Sequence, residues 1–176
     1  MRIVGGKYRH RIITWPDDQT NTRPTKDRVR EAVFSAIGDI DNCIALDLYS
    51  GSGAMGIEAL SRGCSFCYFV DIAQIALKTI KQNLNALSIP ETDYMVIPRK
   101  DYDAIKIVDK KIDILILDPP YKQGMYYEII DACKDILAEN SIIICESDHS
   151  LKFNDVDYKK IKEYKYGETI VTILWK

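Results

Sequence analysis

Five short, mostly apolar runs, at residues 44–48, 66–70, 94–97, 112–117 and 141–145, alternate with segments whose apolar residues recur at helical spacing. Runs of Ile, Leu and Val without polar alternation are buried on both faces. Such strands belong to a parallel sheet with helices on each side. Helices are expected at residues 26–37, with Thr25 as N-cap, Val29, Val33, Phe34 and Ile37 on one face, and Gly38 as the stop. Others are expected at 54–62, closed by Gly63, at 73–87, with Ala76, Ile80, Leu84 and Leu87 inward, and at 125–137, with Ile129, Ile130, Cys133, Ile136 and Leu137 inward. Residues 2–4 and 9–14 read as two short strands around Gly5-Gly6-Lys7-Tyr8, and 17–24 as a polar loop. Residues 158–164 and 169–175 read as a terminal hairpin around Tyr166-Gly167-Glu168. In an open α/β sheet of this kind, ligands bind beyond the carboxyl ends of the strands, near the point where strand order reverses.

Composition narrows the class. The 176 residues are 47% hydrophobic and include 9 Gly and 6 Pro, which excludes a disordered or collagen-like chain and fits one ordinary domain. No apolar run approaches the roughly 18 residues that span a bilayer. Residues 1–7 carry no long apolar segment, so no signal peptide is expected and the cytoplasm is the expected compartment. The five cysteines, at 43, 64, 67, 133 and 145, are odd in number and lie mostly in or beside apolar runs, as reduced core thiols do. Cys64 and Cys67 lack a second pair and His10 and His149 are isolated, so no metal site is expected.

The first strand runs into Asp47-Leu48-Tyr49-Ser50-Gly51-Ser52-Gly53-Ala54-Met55-Gly56, a Gly-x-Gly-x-x-Gly between a strand and a helix. In that context the glycines let a nucleotide-like ligand approach the backbone. An acid beside a pyrophosphate site would repel it. Asp47 in the strand instead suits a ligand with a positive end, such as S-adenosylmethionine (SAM), or else orients the backbone amides of the loop. Asp71 ends the second strand twenty residues after Gly51, the spacing of a ribose-binding carboxylate, and would otherwise cap the following helix. Asp101, after the third strand, is placed to accept from an adenine amino group or to cap a helix.

The fourth strand ends in Asp118-Pro119-Pro120-Tyr121, the most specific feature of the chain. Two prolines stiffen the loop and remove N–H donors, leaving an end that accepts hydrogen bonds. The Asp118 carboxylate and the Pro119 carbonyl can hold both hydrogens of a planar –NH₂ and turn its lone pair toward an electrophile. Tyr121 offers a face for an extruded base, worth roughly 1–3 kcal/mol.

With Asp47-x-x-x-Gly51-x-Gly53, this loop resembles the SAM-dependent amino-methyltransferases. The resemblance narrows to the RsmD family through the opening Arg2-Ile3-Val4-Gly5-Gly6-Lys7-Tyr8-Arg9, the string from Thr22-Arg23-Pro24-Thr25 to Ala32-Val33-Phe34, the run from Gly51 to Gly63, and Tyr166-Gly167-Glu168-Thr169. It spans nearly the whole chain. It implies a class I Rossmann-like methyltransferase fold, with a mostly parallel seven-stranded sheet, helices on both faces and a C-terminal antiparallel hairpin. It implies SAM as donor and a guanine N2 of 16S rRNA as acceptor, within a small-subunit assembly particle. Carried over, Asp47, Gly51 and Gly53, with Tyr49, Ser50 and Ser52 in the same loop, would hold the methionine part. Asp71 would take the ribose and Asp101 the adenine, and Asp118, Pro119, Pro120 and Tyr121 would face the guanine amine. Asp71-Ile72-Ala73 departs from the more polar stretch usual in that family, which bears on the adenine edge.

A net charge of −2 offers no general nucleic-acid footprint, but residues 1–31 hold eight Lys/Arg against four Asp/Glu. A single domain is expected, with residues 1–43 as a hairpin, loop and helix extension and 44–176 as the SAM-binding core. The core leaves no room for a separate target-recognition domain. Arg9, Arg11, Arg23, Arg28 and Arg30 are therefore the candidate phosphate contacts, although Arg28 and Arg30 can equally pair with Asp27 or Glu31. A monomer is expected. Competing readings are a DNA adenine amino-methyltransferase, a protein-amide methyltransferase (Asn is favoured there at the position of Asp118), an NAD-dependent oxidoreductase, and a non-enzymatic SAM-binding RNA chaperone.

Overall fold

The computed structural model describes residues 1–16, 27–119 and 125–176. Seven strands form one sheet in the order β3-β2-β1-β4-β5-β7-β6. They are β1 (Ile44–Leu48), β2 (Phe66–Val70), β3 (Tyr94–Ile97), β4 (Ile112–Leu117), β5 (Leu137–Ser147), β6 (Lys160–Tyr166) and β7 (Thr169–Trp175). The first five are mutually parallel, and β7 enters antiparallel between β5 and β6. Strand order reverses between β1 and β4, so the expected ligand position lies beyond their carboxyl ends. This is the class I methyltransferase topology expected from the sequence.

The pleat explains why the strands lack polar alternation. Ala45, Cys67, Phe69, Ile114 and Ile116 pack into one core with helices α1 (Asp27–Ile37), α2 (Ala54–Ser61) and α3 (Gln74–Ala86). Their neighbours Leu46, Leu48, Tyr68, Val70, Leu115 and Leu117 pack into a second core with α4 (Asp101–Ile105) and α5 (Met125–Cys133). The central strands β1, β2 and β4 and the second half of β5 are therefore buried on both faces and favour apolar residues at nearly every position, whereas the edge strands β3 and β6 stay partly exposed.

Three expectations need correction. The helix expected over 125–137 ends at Cys133, because the Ile136 amide turns back to the Cys133 carbonyl at 2.9 Å and the Ile112 amide takes the Ile136 carbonyl at 2.8 Å. Sheet pairing captures residues whose helical spacing alone would continue the helix, and β5 starts at Leu137 rather than 141. The hairpin's first strand lies two residues later than expected. The two strands expected at 2–4 and 9–14 do not form. The chain pairs with itself through a single bridge, Arg2 to Ile12, with Ile3 N–H on the Arg11 carbonyl at 2.9 Å. Here the N-terminal backbone is recruited by α2. Glu58 Oε2 accepts from the Val4 amide at 2.9 Å and Oε1 from the Gly5 amide at 2.8 Å. Ser61 Oγ accepts from Tyr8 N–H at 2.9 Å and donates to the Gly5 carbonyl at 2.5 Å. The expected N-cap Thr25 and the 17–24 loop lie outside the described residues.

Candidate functional site

The carboxyl ends of β1, β4 and β5 carry Asp47, Asp118 and Glu146. The pairing of Asp47 with Ile116 and of Leu117 with Cys145 sets these ends side by side. By pleat parity the three acids follow the strand positions that face α1 and α2. Asp118 has its proton affinity raised well above that of an ordinary carboxylate, first by burial, then by the negative charges of Glu146 and Asp47. It nonetheless keeps partial exposure. Among the described residues no cation pairs with it or with Asp47. Asp47 and Asp118, two acids paired by no cation of the described residues, favour a positively charged occupant over a phosphate.

Asp47 is almost fully buried, and its Oδ2 accepts the Gly56 amide at 2.9 Å. It therefore ties the end of β1 to the first turn of α2, as the backbone-orienting alternative requires. Burial pushes its pKa up to about 7, Gly56 opposing and Asp71 adding to the rise. The loop between them is shaped by its glycines. Gly51 and Gly53 have φ of 55° and 77°, in the left-handed region that glycine adopts without strain. At Gly56 a Cβ would lie 2.4 Å from the Phe69 ring, so only glycine lets α2 press onto β2. Tyr49 adopts φ 65° without being glycine, a conformation found where a site holds its backbone under strain.

The remaining cofactor candidates are joined to this loop. Asp71 Oδ2 accepts the Gly51 amide at 2.9 Å and Oδ1 the Ala73 amide at 2.9 Å, which links the ends of β1 and β2. Tyr49 donates its hydroxyl to Asp101 Oδ2 at 2.5 Å, and Asp101 Oδ1 accepts the Tyr102 amide at 2.8 Å. Burial and the Asp101 charge raise the Tyr49 phenol. Ser50 is consumed internally, its Oγ donating to the Asp47 carbonyl at 2.6 Å and accepting Val70 N–H at 2.9 Å. Ser52 is buried, with its hydroxyl unpartnered and its carbonyl on Asn83 Nδ2 at 2.9 Å. Ser50 thus has its hydroxyl, amide and carbonyl all engaged within the fold, whereas the Ser52 hydroxyl has no partner among the described residues.

The structure thus brings together Asp47, Tyr49, Ser50, Gly51, Ser52, Gly53, Asp71 and Asp101 around one loop, with Asp118 and Pro119 on the adjacent strand end. Pro120, Tyr121 and Arg23 lie outside the described residues. Arg9, Arg11 and Arg28 are exposed, and Arg11 Nη2 donates to the Ala86 carbonyl at 2.8 Å. Arg30 is a correction. It is fully buried, its Nη2 on Asp27 Oδ1 at 2.9 Å and on the Arg2 carbonyl, and its Nε 3.5 Å from Glu58, so it cannot reach a phosphate. Its pairing with Asp27 is the local alternative visible in the sequence; its tie to Glu58 is not. Glu146 is not among the residues singled out from the sequence, although it follows the expected fifth strand as Asp118 follows the fourth. The available signal was the acid that closes β1, β2 and β4 in the same way.

Comparison with known proteins agrees with this architecture. The family model described as "Conserved hypothetical protein 95" matches residues 1–175. The chain is 34% identical to "Putative rRNA methyltransferase YlbH" of Bacillus subtilis over all of this chain and 99% of that protein. It is 32% identical to "Ribosomal RNA small subunit methyltransferase D" of Escherichia coli, over 84% of this chain and 75% of that one. Among solved structures, "Putative methyltransferase yhhF from Escherichia coli" superposes with a TM-score of 0.86 at 27% identity, covering 100% of this chain and 97% of that chain. The chain belongs to the Cons_hypoth95 family, as a homologue of the RsmD methyltransferases.

Proposed function

We propose that this chain is a SAM-dependent rRNA methyltransferase whose target is the exocyclic N2 amine of a guanine in small-subunit 16S rRNA. The coarser statement rests on the family, the fold and the names of the relatives. The finer one rests on the relatives named for the small ribosomal subunit and on the Asp118-Pro119 corner. The observation that carries it is the row Asp47, Asp118 and Glu146 beside a glycine loop, in which no cation among the described residues pairs with Asp47 or Asp118.

That row is also the test of cofactor fit. SAM has a sulfonium and an ammonium and no phosphate, so its charge complements the acids. Asp47 and the backbone of Gly51 and Gly53 would hold its methionine end, Asp71 the ribose and Asp101 the adenine. Asp71 and Asp101 each have both oxygens hydrogen-bonded to the protein, which fixes their orientation and leaves further lone pairs for a ligand. When bound, SAM supplies an activated methyl group.

The chain's residues then have an alignment task. The Asp118 carboxylate and Pro119 carbonyl accept from the guanine –NH₂ and turn its lone pair toward the donor, with reacting atoms held about 3–3.5 Å apart. Burial, and after it the neighbouring acids, raise the proton affinity of Asp118, which suits it to take the proton the amine loses. Tyr121 would stack on the base. Residues 1–43 would act as the recognition extension of the 44–176 core, with exposed Arg9, Arg11 and Arg28, and Arg23, on phosphates.

The test is transfer of a tritiated methyl group from SAM into small-subunit particles that lack the modification. Incorporation at a guanine N2 is expected. Incorporation into duplex DNA, with none in the particles, would overturn the reading in favour of a DNA adenine amino-methyltransferase.

A further inference from the structure

Of the three glycines in the loop, two point their missing side chain at protein. A Cβ on Gly53 would meet Ile80 at 3.3 Å and Phe69 at 3.4 Å, and one on Gly56 would collide with Phe69 and Cys67. A Cβ on Gly51 would meet, among the described residues, one atom within 4 Å, Cη2 of Trp15 at 4.0 Å. Gly51 therefore opens onto a space whose nearest wall among the described residues is an indole from the N-terminal arm. Trp15 itself is only partly buried.

The indole is held in register with the loop. Asn83, on α3 and 1% exposed, uses one amide to bind both. Its Oδ1 accepts the Thr14 amide at 2.8 Å and the Thr14 hydroxyl at 2.9 Å. Its Nδ2 donates to the Thr14 carbonyl at 3.0 Å and to the Ser52 carbonyl at 2.9 Å. The residue before Trp15 and the residue after Gly51 are thus fastened to the same side chain. The face of an indole attracts a cation within about 6 Å, and the acids across the loop favour the same charge.

We infer that Trp15 forms a wall of the donor site and contacts the charged end of bound SAM, with Asn83 as the positioning residue that sets the indole against the glycine loop. The inference rests on the donor-site reading given above and adds the arm to it. An arm that sequence reasoning assigned to RNA alone then also serves the cofactor.

The chain has two tryptophans, so Trp175→Phe leaves Trp15 as the sole indole. Trp175 lies at the far end of β7 beneath Lys160. Titration of S-adenosylhomocysteine into this variant is expected to shift indole emission, saturating at the Kd that calorimetry reports. Trp15→Phe, which retains Trp175, is expected to show no shift. In steady-state assays Trp15→Ala is expected to raise KM for SAM about tenfold with kcat within about twofold, Trp15→Phe to recover most of the loss, and Asn83→Ala to follow Trp15→Ala. Binding by calorimetry without an emission change in Trp175→Phe overturns this inference alone. Wild-type protein that binds no S-adenosylhomocysteine overturns the donor-site reading and this inference with it.

Discussion

Glu58 and Asp47 are both buried acids tied to α2, one carried on the helix and the other bonded to its first turn through Gly56. Their surroundings differ in sign. Glu58 meets Arg62 Nε at 2.7 Å, Arg30 Nε at 3.5 Å and two backbone amides of the arm. Asp47 meets one amide, and its charged neighbours are Asp71 and Asp118. The first acid is neutralised within the fold and acts as a fastener for residues 4 and 5. The second is left with its like-charged neighbours at the strand ends, where a cationic ligand would relieve them. Burial of an acid does not distinguish structure from function in this molecule; the sign of what faces it does.

The widest separation between the two centres should appear in stability. Glu58→Ala removes the buried counter-charge 3.5 Å from Arg30 Nε and the acceptor of Arg62 Nε and of two arm amides, and a loss of about 3–5 kcal/mol is expected in urea denaturation. Asp118→Ala should leave the midpoint unchanged or raise it. Equal losses from the two variants would erase the distinction.

Activity should reverse the ranking. Asp118→Ala is expected to lower kcat by on the order of 10²-fold while SAM affinity holds, because the lost contact belongs to the transition state. Asp71→Ala should mainly weaken SAM binding. A variant pair that behaved alike in single-turnover and binding assays would merge the two roles.

The pH response sharpens the contrast further. The folded protein holds the Asp47 proton up to about pH 7, whereas the unfolded chain releases it near the ordinary carboxylate value of about 4. The stability of the ligand-free protein should therefore fall as pH rises between those two values, and Asp47→Asn should flatten that slope. Affinity for S-adenosylhomocysteine, which carries an ammonium, should rise across the upper part of the same window, measured by calorimetry at a series of pH values.

The smallest effect concerns two arginines two positions apart. Arg28→Ala is expected to leave stability unchanged, weaken binding to the rRNA substrate a few-fold and reduce the salt slope by about one. Arg30→Ala should act like Glu58→Ala and lower stability, since Arg30 belongs to the fastener.

Much of this was legible in one dimension. The apolar runs at 44–48, 66–70, 94–97 and 112–117 coincide with β1 to β4, because strands covered on both faces, as β1, β2 and β4 are, favour apolar residues at nearly every position, and the edge strand β3 keeps enough of that character to be read. The loop from Asp47 to Gly56 and the acids at 71, 101 and 118 were visible because each lies at or shortly after the carboxyl end of a strand. Where sequence reasoning failed, a through-space partner had overruled a local pattern. The helical spacing of Cys133 and Leu137 yielded to pairing with β4. The hairpin expected at the N-terminus keeps one antiparallel bridge and a few cross-arm bonds but not two strands, because Glu58 and Ser61 take the amides of Val4, Gly5 and Tyr8 around its turn. Glu146 was passed over because no local motif surrounds it, and only the sheet order sets the end of β5 beside β4 and Asp118.

What the amino-acid sequence determined by itself was which residues stand at the ends of strands, since backbone geometry and the two-residue pleat act between near neighbours. Only the folded chain decided which of those groups face one another. Arg30 pairs with Glu58 across twenty-eight positions, and Asn83 joins Thr14 to Ser52 across sixty-nine and thirty-one. Electrostatic and hydrogen-bond energies depend on separation in space, and that separation is set when the sheet order places β1 beside β4 and the arm against α2.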